Sequence, residues 1–365
     1  DRPGITPMTI PKENPALRGR GASWNPANRF DGHDYVADLD DALEPDTTGA
    51  PCSYLEDHTR SILSRNDSPD VGFDASINPY RGCEHGCSYC FARPTHEYLG
   101  LSAGMDFETK IFVKEDAPDL LREALSKPTW KPTPLGMSGV TDPYQPIERR
   151  LGITRRCLEV LAEFRQPVVI ITKNHLETRD RDLLAELSQH HAAAVYLSIT
   201  TLDAKLARAM EPRTSSPEKR LEAIAGLSAA GVPTGVLVAP IVPGLTDHEL
   251  PKILEHAARA GATSAGYVIL RLPHGLKELF EGWLDAHEPE KKEKVLSRLR
   301  ALSGGKLYDS EWGKRQTGSG AFADQVAQMF RVACARHGLN QTRETLSTAA
   351  FRRPQRAGDQ GELFG

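Results

Sequence analysis

Three cysteines, Cys83, Cys87 and Cys90, stand in a Cys-x3-Cys-x2-Cys arrangement within Asn78-Pro79-Tyr80-Arg81-Gly82-Cys83-Glu84-His85-Gly86-Cys87-Ser88-Tyr89-Cys90-Phe91-Ala92-Arg93. Half of the chain's six cysteines thus fall within eight residues. Thiolates are soft donors suited to zinc or iron–sulfur clusters. A structural zinc ion wants four protein donors, often as two separated Cys-x2-Cys pairs, and no second pair is present. Three thiolates on a short glycine-containing loop leave one corner of a [4Fe–4S] cube without a cysteine, so that one iron is open to another ligand. His85 lies inside the loop and would complete a Cys3His zinc site, which keeps zinc as the alternative. The x3-then-x2 spacing wraps a cube better than a tetrahedral ion.

The surrounding elements have to hold this loop. Residues 107–114 read as a strand and 118–125 as a helix. There follow strand 135–140, helix 153–164, strand 167–172, helix 181–189, strand 194–200, helix 217–230, strand 234–239, helix 247–260 and strand 265–270. Apolar strands alternating with helices imply parallel βα units buried on both faces. Counting the strand after the cysteine loop, there are five or six units, an incomplete or full (β/α) barrel. Chemistry in such folds sits on loops at the C-terminal ends of strands. Those ends carry Thr141-Asp142, Lys173-Asn174, Ser198, Thr200 and Arg271, with Glu211-Pro212-Arg213 in a helix-proximal loop. Their convergence points to a ligand site.

Cys83-x3-Cys87-x2-Cys90, with aromatic Tyr89 before the last cysteine, resembles the signature of the radical SAM enzymes, and the resemblance covers roughly residues 75–275. It implies a partial (β/α)6 barrel at 71–275; composition and periodicity add an extended N-terminal arm at 1–70, a helical segment at 276–340 and a flexible tail at 341–365. It also implies a [4Fe–4S] cluster held by the three cysteines, whose open iron chelates S-adenosylmethionine (SAM). The reduced cluster would cleave the sulfonium to methionine and a 5′-deoxyadenosyl radical that abstracts hydrogen. By the same likeness Tyr89 packs near the adenine, Thr141 and Lys173 hold the SAM carboxylate, Ser198 bonds the methionyl or ribose end, and Glu211 accepts from the ribose. A lysine ammonium is a sensible point charge for a carboxylate.

Thr141-Asp142-Pro143-Tyr144-Gln145, Thr172-Lys173, Ser198-Ile199-Thr200, Glu211-Pro212-Arg213 with Arg220-Leu221, and Pro240-Ile241-Val242-Pro243-Gly244 resemble the branch containing spore photoproduct lyase and its uncharacterised relatives. That enzyme carries a hydrogen-donating cysteine two residues before the position matching Thr141; here the position is Gly139. The resemblance implies a reductant such as flavodoxin or ferredoxin and points to a nucleic acid among the substrates open to it, a peptide or small molecule being the others. A non-catalytic zinc- or Fe–S-binding nucleic-acid-associated module is the reading from another class.

Composition sets outer bounds. The chain has 365 residues, 39% hydrophobic, with formal net charge −4, which argues against a strongly basic nucleic-acid binder. A local basic groove depends on distribution: the arm with Arg18, Arg20 and Arg29 reads first as a flexible surface extension and Lys314-Arg315 before a Gly-Ser-Gly turn first as a flexible linker, with contact to phosphate as the functional alternative for both. The acidic stretch 31–50 reads as a solvated loop. Cys52, Cys157 and Cys334 read as packed thiols. No apolar run of 18 residues is present and no leader is evident, so a reduced cytoplasmic compartment and a monomer are expected. Helix 321–337 is expected to close the barrel's open side.

Overall fold

The computed structural model describes residues 19–30, 51–342 and 345–354. Arg18, the acidic stretch 31–50 and residues 355–365 lie outside the described residues.

The strands in chain order are β1 (Ser53–Glu56), β2 (Leu63–Arg65), β3 (Ala75–Ile77), β4 (Tyr80–Arg81), β5 (Lys110–Val113), β6 (Leu135–Met137), β7 (Val168–Thr172), β8 (Ala193–Ser198), β9 (Thr234–Ile241) and β10 (Ser264–Ile269). Seven of them form one sheet in the order β10-β9-β8-β7-β6-β3-β2. All its pairings are parallel except that of β2 with β3. Helices Ile153–Phe164, Arg181–Ser188, Pro217–Ala229 and Leu250–Arg259 occupy the crossovers from β6 onward. The architecture is the expected α/β class: a partial (β/α)6 barrel followed by helices Leu276–His287, Lys292–Leu302 and Ala321–His337.

Each crossover helix forms because its apolar residues recur every three to four positions. In Ile153–Phe164 that rhythm buries Ile153, Cys157, Leu158, Leu161 and Phe164. Pro217–Ala229 starts with Pro217 behind Ser216, whose side chain accepts from Lys219 N–H and so satisfies an otherwise orphaned donor.

One strand assignment changes. The first barrel strand is β3, upstream of the cysteine loop, and not residues 107–114. Residues Met105–Thr109 are helical, and β5 joins β1 and β4 in a separate three-stranded sheet. Ala75-Ser76-Ile77 is too short to display a period, whereas the apolar residues of 107–114 mimic one. The consequence is functional: the cysteine loop follows β3 and therefore sits at the C-terminal end of the barrel sheet.

Helix Ala321–His337 covers the edge of β10 beside Leu250–Arg259. Phe330 packs on Tyr267 with ring centroids 4.9 Å apart, and Asn340 pairs with both backbone groups of Ala265 at 2.8 and 3.0 Å. Asn340 thereby occupies the open backbone groups of Ala265 on the edge strand. Residues 345–354 are also tied down, against the expectation of a flexible tail: Phe351 packs on Phe164 at 6.2 Å, and Arg352 N–H donates to the Phe164 carbonyl at 2.9 Å.

Candidate functional site

The cysteine loop is held by its backbone. Gly82 (φ +78°) and Gly86 (φ +64°) take turns that L-residues resist. Cys83 N–H donates to the Phe107 carbonyl and Ser88 N–H to the Met210 carbonyl, both at 2.9 Å. The Thr141 hydroxyl donates to the Gly82 carbonyl at 2.6 Å. Behind the loop, buried Arg93 donates to the carbonyls of Cys87 and Gly104, each at 2.9 Å, and pairs with buried Glu108. Glu108 in turn accepts from the N–H groups of Gly21 at 3.1 Å and Ala22 at 2.7 Å, so residues 20–26 lie against the loop as a strap. No motif in the sequence announces Arg93 and Glu108, and Glu108's partners in the strap lie more than 80 positions away in the chain.

Burial pushes the thiols of Cys83, Cys87 and Cys90 upward; at Cys87 the Glu211 carboxylate adds to this and the Lys173 ammonium opposes it. Neutral thiols in such surroundings become thiolates when a metal centre supplies positive charge.

His85 is committed elsewhere. Its Nδ1 faces Asp142 Oδ2 at 3.3 Å and its Nε2 meets Asn174 Nδ2 at 3.2 Å, in a buried setting. Among the described residues no three His, Cys, Asp or Glu side chains converge to hold a single metal ion. With His85 engaged by Asp142 and Asn174, the loop offers three thiolates, the donor set of a cube with one open corner rather than of a four-donor Cys3His ion. The donor set fits the cluster better than the ion.

Asp142 is the hub between loop and barrel. Its carboxylate accepts from Thr172 Oγ1 at 2.7 Å and from the N–H groups of Tyr144 at 2.9 Å and Lys173 at 2.8 Å. Burial alone would raise its pKa, but His85 and these donors hold it below the usual carboxylate range. Gln145 completes the tie, accepting from Glu84 N–H at 2.9 Å and donating to Thr141 Oγ1 at 3.1 Å.

The second group gathers beside Cys87. The Lys173 ammonium donates to Ser198 Oγ at 2.7 Å, the Ala239 carbonyl at 2.8 Å and Thr200 Oγ1 at 3.3 Å, and lies 3.3 Å from Glu211 Oε1. It also stands 5.6 Å from the Tyr89 ring centroid. Tyr89 donates its hydroxyl to Glu211, and Arg220 pairs with the other carboxylate oxygen. Burial would raise Glu211, yet Arg220 and Lys173 hold it well below the usual range, so it is an anion. Arg220 also donates to the Ser198 carbonyl at 2.7 Å, which fixes the end of β8. The fold thus brings Tyr89, Lys173, Ser198 and Glu211 together. Thr141 faces the loop backbone instead. Thr200 and Arg220 belong to motifs legible in the sequence, but only the structure gives them partners.

Other expected contacts go elsewhere. Arg20 is buried and donates to the Glu108 carbonyl at 3.1 Å, so it supports the loop rather than a phosphate. Arg29 pairs with Glu97 at 2.8 Å, Arg315 with Asp70 at 2.5 Å, and Lys314 with Glu311 at 2.9 Å. Cys157 and Cys334 are buried thiols as expected. Cys52 is half-buried between the guanidinium groups of Arg20 and Arg213, each 3.4 Å from its sulfur.

The Radical SAM superfamily profile matches residues 77–257. An uncharacterised protein of Mycobacterium tuberculosis is 39% identical over 232 residues, 63% of this chain and 67% of that protein. A Radical SAM Nalpha-GlyT isomerase of Pseudomonas phage M6 is 26% identical over 186 residues, 50% of this chain and 36% of its own length. Among solved structures, a spore photoproduct lyase mutant with bound AdoMet and dinucleoside spore photoproduct aligns with TM-score 0.56 at 18% identity, over 78% of this chain and 80% of that one. That likeness is one of fold. Among the described residues no helix is long and apolar enough to cross a membrane.

Proposed function

The chain belongs to the radical SAM superfamily, and we propose that Cys83, Cys87 and Cys90 hold its [4Fe–4S] cluster while Tyr89, Lys173, Ser198 and Glu211 form the wall that receives SAM. The observation that carries this is the Lys173–Glu211–Tyr89 group packed beside Cys87, on the same end of the barrel as the cysteine loop. When bound, the cluster and SAM supply an electron and a 5′-deoxyadenosyl group that together remove a hydrogen atom from a substrate. The chain's residues position that chemistry. Lys173 offers a cation to a carboxylate, exchanging one of its present oxygen partners for it. Glu211, kept ionised by Arg220, fixes Tyr89 and restrains Lys173. Arg93 and Thr141 hold the loop carbonyls, and the strap covers the loop's back.

The substrate class we infer is nucleic acid. Support comes from the solved neighbour's dinucleoside ligand, at the level of fold, and from the matching motifs. Gly139 leaves no thiol at the position where spore photoproduct lyase has its donor, so repair by that thiol is not part of the proposal. A flavodoxin- or ferredoxin-type reductant is the inferred electron source.

Anaerobic reconstitution with iron and sulfide, then dithionite and SAM, tests the reading. Equal yields of 5′-deoxyadenosine and methionine are expected. Lys173→Ala should retain iron and weaken SAM binding about tenfold or more, as loss of a charge-assisted contact does. A fully loaded cluster with no SAM affinity, or unchanged affinity in Lys173→Ala, would overturn the assignment.

A further inference from the structure

Arg271 follows β10 at its C-terminal end, and its guanidinium lies 4.5 Å over the ring of Phe91, the residue after Cys90. Among the described residues Arg271 has neither an ion pair nor a hydrogen bond. Tyr308, Asp70 and Cys90 stand near enough to act on it without bonding it, and Asp70 already accepts from Arg315 at 2.5 Å and Gly313 N–H at 2.8 Å. Arg271 is half-buried, and a guanidinium held there without a partner calls for an acceptor. The loop after β10 continues to Gly275, where a β-carbon would stand 4.0 Å from Pro26 of the strap. Next along the strap, Arg29 lies over Phe30 at 4.6 Å and Tyr98 at 5.5 Å, and those two rings are 5.0 Å apart.

Phe91, Phe30 and Tyr98 are 50%, 58% and 71% exposed, three of the seven large apolar side chains exposed among the described residues. Their gathering on one arc beside the cysteine loop is therefore not the usual scatter of single exposed rings.

We propose that this arc binds single-stranded nucleic acid, with bases stacked on Phe91, Phe30 and Tyr98 and a phosphate answered by Arg271. The proposal rests on the nucleic-acid reading above and adds the strand form and the residues. Flat rings interleaved with guanidiniums suit unpaired bases, because every base has a π face and stacking tolerates any sequence. In a duplex the bases stack on one another and cannot reach the rings. Arg29, already paired with Glu97, serves as a stacking plate, leaving Arg271 as the open cation.

The test uses the anaerobic cluster-loaded protein with SAM and fluorescent oligothymidylate, oligouridylate and a duplex of equal length. Both single strands should bind more tightly than the duplex; a preference between them would name the polymer and still support the proposal. Phe91→Ala and Tyr98→Ala should each weaken binding roughly 5- to 100-fold. Arg271→Gln should weaken it and flatten the salt dependence by about one unit of slope. Val332→Ala, on a distant exposed helical site, should change nothing. Tighter duplex binding, or unchanged binding in the Phe91 and Arg271 variants, overturns the arc. Wild-type protein that cleaves SAM but binds neither single strand overturns it while leaving the radical SAM assignment standing; failure of SAM cleavage itself would strike that assignment instead.

Discussion

The carbonyl oxygen of Gly86, at the centre of the cysteine loop, occupies the space a side chain on Gly21 would need: a β-carbon there would stand 1.6 Å away. Strap and loop touch backbone to backbone, and only glycine permits it. Gly21→Ala should force them apart at a cost on the order of 1–3 kcal/mol. The measurable result is faster iron loss to a chelator from the loaded protein. Gly226→Ala, inside a helix with nothing within 4 Å of the added carbon, should leave iron retention unchanged and gain about 0.5–1 kcal/mol. Equal iron loss in wild type and Gly21→Ala would show that the strap does not protect the loop.

The six cysteines should separate into two groups. Replacing Cys83, Cys87 or Cys90 with Ala should lower reconstituted iron from roughly four atoms per chain and abolish 5′-deoxyadenosine formation. Cys157→Ala removes a buried sulfur from the hydrophobic core, costing about 1–2 kcal/mol, and should keep the iron. Iron analysis and SAM cleavage on the same preparations check both. Full loading and cleavage in Cys87→Ala would refute the ligand set.

Arg220 and Glu211 are both buried and meet as an ion pair. Arg220→Met strands the carboxylate with only Lys173 as a cation and should destabilise the protein by about 3–5 kcal/mol. Glu211→Gln in the same background should recover part of that loss, because the fully buried carboxylate is then neutral and only the less buried Lys173 ammonium, still bonded to neutral oxygens, keeps a charge. Denaturant titrations of the two single variants and the double variant give the coupling. Additive losses would mean the pair is not a unit.

His96 carries an acid-sensitive contribution to stability. Burial lowers its pKa to about 4, its Nε2 meets the Lys110 carbonyl at 2.9 Å, and its Nδ1 has no partner. The unfolded chain protonates near 6.5, so between those values the unfolded state binds more protons, and stability falls as pH drops through the window. The loss should be on the order of 2 kcal/mol by pH 5. Unfolding midpoints from pH 7 to 5 should show it in wild type and show less in His96→Gln. Parallel pH profiles would remove His96 as the cause.

The sequence alone was enough to place the chain in its superfamily and to give most of the architecture. Cys83, Cys87 and Cys90 are close in the chain, so their spacing is legible without a fold. Strands β6 to β10 and their crossover helices read correctly to within a few residues, because amphipathic period is a local property.

Tertiary structure decided what depends on long-range pairing. The three-residue β3 becomes a barrel strand only by pairing with β6, while β5, longer and more strand-like, pairs outside the barrel. His85 could have closed a zinc site by spacing, yet Asp142 and Asn174 claim it across 57 and 89 positions of chain. Thr141, expected to face a ligand, bonds Gly82, and Arg20, expected to face phosphate, is buried behind Glu108. A side chain's partner is set by which distant backbone arrives beside it, and burial then makes that pairing obligatory, because an unpaired polar group away from water costs more than almost any contact it could make instead.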